Sequence, residues 1–134
     1  MNAGRILRAA GFDTDALRVR IAPVDPDDIN VWPASSLFRR LWRHGTHGVT
    51  HGRLVFIDPA VMVGDRRHLA RLVIHELIHV RQYRATGYLH FVTSYLREYL
   101  KGRIGGLSPD EAYRQISHER EARELTERTL AAIR

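Results

Sequence analysis

Apolar and polar positions alternate along this chain with two different periods. Leu17, Val19 and Ile21 are interleaved with Arg18 and Arg20, the period-two pattern of a half-buried strand. Residues 54–57, Leu-Val-Phe-Ile, form a β-rich run closed by Asp58-Pro59. With Val49 and the turn-like His51-Gly52 before it, this run predicts a hairpin over residues 46–58. Elsewhere the period is helical. Residues 3–10 predict a short helix that Gly11 ends. Leu37, Phe38, Leu41 and Trp42 predict another from near Ser35, after a loop over residues 23–33 rich in aspartate and proline.

The second half reads as helical throughout. Asp65 is placed to cap a long helix that Gly87 terminates. A second helix is expected over residues 88–101, broken by Gly102, Gly105 and Gly106. Ser108-Pro109-Asp110-Glu111 combines a capping serine, proline in the first position and glutamate three residues after the cap. Helix then continues to the end of the chain, with a break expected near Ser117. Helix, strands, then helices indicate an α+β fold.

Composition narrows the chemistry. At 134 residues, 44% hydrophobic and 27% charged, the chain is expected to form a single globular domain over residues 1–134. It has no cysteine, which excludes disulfides, zinc ribbons, iron–sulfur clusters and a thiol nucleophile. Any metal must rest on His, Asp or Glu. No stretch is long and apolar enough to span a membrane, and Arg5, Arg8, Asp13 and Asp15 interrupt any signal-like segment, so a soluble, cytoplasmic protein is expected. Lys and Arg total 21, all arginine except Lys101, and the net charge is +6. These arginines are spread along the chain rather than gathered in a patch, so charge does not favour nucleic-acid binding.

The eight histidines are more informative. His75-Glu76-Leu77-Ile78-His79 is an H-E-x-x-H sequence inside the expected long helix. Residues at i and i+4 lie about 40° apart around a helix and about 6 Å along it, so both rings can reach one metal ion. Glu76 lies beside them, where it can act on a water activated by zinc without being a ligand. Leu69, Leu72, Val73, Leu77 and Val80 form an apolar face, while His68, Arg71, His75, His79 and Gln82 form a separate polar stripe that need not pack inward. A catalytic zinc usually takes a third protein ligand. Gln82 and Ala85 stand where the H-E-x-x-H-x-x-G-x-x-H pattern needs Gly and His. His90 lies past the Gly87 break. The other source is residues 118–124, with Glu119, Glu121 and Glu124. Ala122, Leu125, Leu130 and Ile133 mark that helix's buried side, from whose centre Glu119 projects by about 60°, Glu121 by about 100° and Glu124 by about 160°. Glu119 is the best-placed third ligand, with Glu121 as the alternative.

His75 to Gln82, followed some forty residues later by Glu119-Arg120-Glu121-Ala122, resembles the gluzincin zinc metallopeptidases, in particular their minimal single-domain forms, the minigluzincins. The resemblance spans roughly residues 50 to 125. It implies a small sheet packed on an active-site helix, followed by a glutamate-bearing C-terminal helix. It also implies that His75, His79 and Glu119 bind zinc and that Glu76 is the general base. Many gluzincins carry Asp four residues after the ligand glutamate, whereas this chain has Arg123.

The resemblance also implies that a peptide or protein substrate binds as an added strand, with residues 54–57 in that place. Tyr83, Tyr113, His118 and Arg71 are eligible to stabilise an oxyanion. His44, His47 and His51 read as solvated histidines, and Trp32, Trp42, Tyr88, Phe91, Tyr95 and Tyr99 as core or interface. The expected function is a zinc metalloendopeptidase. The alternatives are a latent or catalytically silent zinc-binding fold that acts as a protein-binding module, and an arginine-rich nucleic-acid binder with structural zinc.

Overall fold

A computed structural model describes residues 1–40 and 47–133 of the chain. They form a small α+β protein in which helices surround a three-stranded mixed sheet. Helix α1 (Ala3–Ala9) and α2 (Thr14–Arg20) precede a 3₁₀ turn (Pro26–Asp28) and strand β1 (Val31–Pro33). Helix α3 (Ser36–Arg40) leads toward the hairpin of β2 (Gly48–His51) and β3 (Leu54–Ile57), which is followed by the one-turn helix α4 (Pro59–Met62). The rest of the chain is α5 (Arg66–Thr86), α6 (Tyr88–Ile104), α7 (Pro109–Arg114) and α8 (Ser117–Ile133). Trp42 and His44, expected in a helix and a loop, lie outside the described residues.

The central strand is β3, antiparallel to β2 and parallel to β1. Its Val55 and Ile57 are fully buried, with Val31 of β1, against α1 and α5. On the opposite face Phe56 meets Phe38 of α3, with ring centroids 5.0 Å apart. The expected hairpin and long helix are both present. Asp65 caps α5 by accepting the Arg67 N–H at 2.7 Å, and Gly87 ends it at a φ of 84°, a left-handed value that a side chain would strain. Ser108 and Glu111 form the full capping box of α7.

Three expectations are corrected. Residues 17–21 are not a strand, because Asp13 accepts the N–H groups of Asp15 and Ala16 and starts α2. Leu17 and Ile21 then point inward together at i and i+4, while Val19 is 80% exposed. The stretch 23–33 is not simple loop, since it holds the 3₁₀ turn and β1, which is held by pairing with β3 24 residues on. The polar stripe of α5 faces outward over only part of its length. His68 and Arg71 are exposed and His75 is half-buried, but His79 and Gln82 are buried because α8 and α6 pack over them. Among the described residues no helix is long and apolar enough to cross a membrane.

Candidate metal centre

Helix α5 brings His75 and His79 to the same side one turn apart, with Nε2 atoms 3.2 Å from each other. Glu119 enters from the first turn of α8. One of its carboxylate oxygens lies 3.2 Å from His75 Nε2 and the other 3.1 Å from His79 Nε2. These three residues, drawn from positions 44 apart in sequence, are close enough to hold one metal ion. Among the described residues no other group of His, Asp and Glu is placed to do so.

The phase of α8 explains the choice of glutamate. Ala122, Thr126, Thr129, Leu130 and Ile133 are buried, and Glu119 is drawn in with them at 4% exposure. Glu121 is exposed and accepts a hydrogen bond from Gln82 Nε2 at 3.0 Å instead. Glu124 and His90 are exposed. A buried carboxylate needs donors on both oxygens. Besides the two imidazoles, the Tyr95 hydroxyl donates to Glu119 Oε1 at 3.0 Å. The sequence pattern places Tyr95 in the core or an interface. Only the meeting of α6 with α8 shows that its hydroxyl reaches the centre. Burial, the Glu119 charge and Tyr113 together hold the Tyr95 hydroxyl protonated, far above its ordinary range.

Glu76 is buried beside the ligands but outside their cluster. Its Oε2 accepts the Thr50 hydroxyl of β2 at 2.6 Å. Its Oε1 faces Gly48, where an added Cβ would stand 3.0 Å away. Two cavities meet here, sharing Gly48, Glu76 and Tyr113. The larger, about 600 Å³, is lined mainly by aromatic and aliphatic side chains, among them Phe38, Tyr83, Phe91, Leu96 and Tyr99. The smaller, about 280 Å³, carries more charged side chains in its lining, among them His47, Arg71, Arg123 and Glu127.

Other expectations find different places. Strand β3 cannot accept a further strand, because β1 and β2 pair with it on both sides; the edge beside the centre is β2. Even there, the Thr50 carbonyl already accepts the Tyr83 hydroxyl at 3.2 Å. Tyr83 is thereby occupied, and burial pushes its pKa up to about 12. His118 stacks on Phe91, and of the four oxyanion candidates Tyr113 and Arg71, the latter paired with Glu127, line the smaller cavity beside Glu76. His47 and His51 are exposed, and although His47 Nδ1 lies 3.8 Å from Asp58, neither belongs to a group of three ligands among the described residues. Arg123 donates to the Arg114 carbonyl at 2.6 Å and supports neither histidine.

In the metal-free protein the centre is an imidazolium–carboxylate cluster. Burial opposes the charge on His79, but Glu119, by hydrogen bond and charge, with Glu76 and Gln82, overcomes it and raises the pKa to about 9. Burial likewise opposes the Glu119 charge, yet the hydrogen bonds from His75 and His79 hold it well below the ordinary carboxylate range. The His79 contribution is fully present below its unfolded pKa near 6.5 and is lost as pH rises through about 9. The Glu119 contribution is present above the unfolded value of 4.5 and is lost as pH falls. Metal-free protein is therefore expected to have its highest urea midpoint between about pH 5 and 6.5, falling by up to about 3 kcal/mol of stability toward pH 9. Denaturation curves across this range check it, and His79→Gln should flatten the alkaline limb.

No protein-family model matches the chain, and no curated protein or solved structure is significantly similar to it.

Proposed function

We propose that this chain is a zinc metallopeptidase of gluzincin type, hydrolysing peptide bonds at the junction of the two cavities. The observation that carries the reading is the convergence of His75, His79 and Glu119 beside a carboxylate, Glu76, that is buried but not among them. Two neutral imidazoles and a carboxylate are the ligand set of many catalytic zinc sites, which leave a position open. The donor spacing fits as well. Bonds of about 2.0–2.1 Å in tetrahedral arrangement place donors about 3.3 Å apart, against 3.2 Å between the two Nε2 atoms. In this reading the helix that packs under the sheet is the active-site helix, and α8 is the glutamate helix.

When bound, zinc supplies a Lewis acid that polarises a carbonyl and makes water acidic. The chain's own residues do the remaining work. Glu76, fixed at Oε2 by Thr50, has Oε1 available to accept a proton from water and return it to the leaving amine. Tyr113 and Arg71 stand at the cleft where a developing negative charge needs a donor. Gly48, without a side chain, lets an extended peptide approach the β2 edge. The aromatic cavity suits a bulky apolar side chain of that peptide. A catalytically silent protein-binding module is the second reading. It is favoured by Arg123, which holds a backbone carbonyl where the resembled family places a carboxylate.

Zinc-loaded protein, after dialysis, is expected to retain near one zinc per chain and to cleave members of a broad peptide library next to large apolar residues. Zinc retention without any cleavage would select the silent module. Failure to retain zinc would overturn both readings.

A further inference from the structure

We infer that Gln82 and Glu121 form a relay that positions His79 for the metal, replacing the directly bonded carboxylate that Arg123 cannot provide. The inference rests on the metal-centre reading above and concerns how this chain holds its second histidine. Gln82 lies three residues after His79 on α5 and is buried. Its Nε2 donates to the His118 carbonyl and to Glu121 Oε1, both at 3.0 Å. A backbone carbonyl and an ionised carboxylate can only accept, so the amide has one permissible orientation. Its Oε1 must then be the atom 2.7 Å from His79 Nδ1. Because Oε1 also only accepts, Nδ1 must carry a proton. In the neutral ring this leaves the Nε2 lone pair facing His75 and Glu119, which is the tautomer a metal requires.

Helix α8 thus contributes twice. Glu119 joins the metal centre directly, and Glu121 anchors and polarises the amide that orients His79. Gln82 and Glu121 are positioning residues, since neither belongs to the cluster that would hold the ion.

The test uses the full chain, with zinc competition against a chelator and imidazole nitrogen NMR as readouts. Gln82→Met keeps length and removes both ends of the relay. It is expected to weaken zinc binding by about 10–100-fold and to abolish the exchange-protected His79 Nδ1 proton. Gln82→Glu restores an acceptor for Nδ1 but sets a second carboxylate against Glu121, so it is combined with Glu121→Gln, whose amide can donate to it. The double variant should recover the protected proton and most of the affinity. Glu121→Gln, at an exposed position, should cost a few-fold in the wild-type background and nothing in Gln82→Met, because the two act in series. Wild-type affinity with a protected proton in Gln82→Met, or an equal Glu121→Gln cost in both backgrounds, would overturn the relay. The Nδ1 resonance is also read in metal-free protein. Its loss in Gln82→Met supports the relay even if wild type takes up no zinc, an outcome that would sink the zinc reading alone.

Discussion

Glu76→Gln is expected to reduce peptide cleavage by at least about a hundredfold while the folded protein keeps its zinc. Glutamine preserves the shape of the side chain and can still accept the Thr50 hydroxyl that now binds Oε2 at 2.6 Å. It cannot take a proton, and the proposed role of Glu76 is proton transfer alone. Glu76 is not among the clustered ligands, so metal content should be unchanged. Parallel measurement of zinc content and cleavage rate on one peptide separates the two effects. Thr50→Val offers a graded companion. It leaves the carboxylate in place but unsupported, and should lower the rate by a smaller factor with zinc retained. Undiminished cleavage in Glu76→Gln would assign the base to another group or the activity to another protein.

Glu119→Gln is expected to weaken zinc binding by at least about a hundredfold, beyond what loss of an outer supporting group costs. Two imidazoles would remain, but the anionic donor between them would not. The same change removes the buried negative charge that keeps His79 protonated in the metal-free protein. Breaking one partner of a buried ion pair costs about 3–5 kcal/mol, so the metal-free variant should also melt at lower temperature near pH 6. Chelator competition gives the affinity and thermal melts without zinc give the stability. Glu121→Gln, affecting only the relay, should cost a few-fold in affinity. The reverse order of effects would make Glu121 the third ligand.

The candidate metal centre is legible in the sequence where it depends on one helix. His75 and His79 must share a face once α5 forms, and α5 forms because Asp65 and Gly87 bound an apolar pattern. The same holds for the Ser108 capping box and for the inward tilt of Glu119, which the spacing of Ala122, Leu130 and Ile133 already indicates. All of these are relations within one or two turns, governed by helix geometry and local hydrogen bonding.

What lay beyond the sequence was every relation set by packing between elements. The alternation of residues 17–21 was equally a strand pattern and one buried face of a short helix, and the Asp13 cap with the burial of Leu17 and Ile21 together decided it. Strand order cannot be read from the hairpin, so the resemblance puts residues 54–57 at the substrate edge, whereas pairing with β1 on one side and β2 on the other places β3 in the centre. Thr50 reaches Glu76 across 26 residues, Tyr95 reaches Glu119 across 24, and Gln82 reaches Glu121 across 39. Nothing in the local pattern marks a threonine on a strand or a tyrosine on an aromatic stripe as such a partner. Sequence by itself determined which residue types could meet a metal and on which helix faces. Tertiary structure alone decided which hydrogen bonds satisfy them, because a buried charge takes its partners from whatever neighbouring elements pack against it.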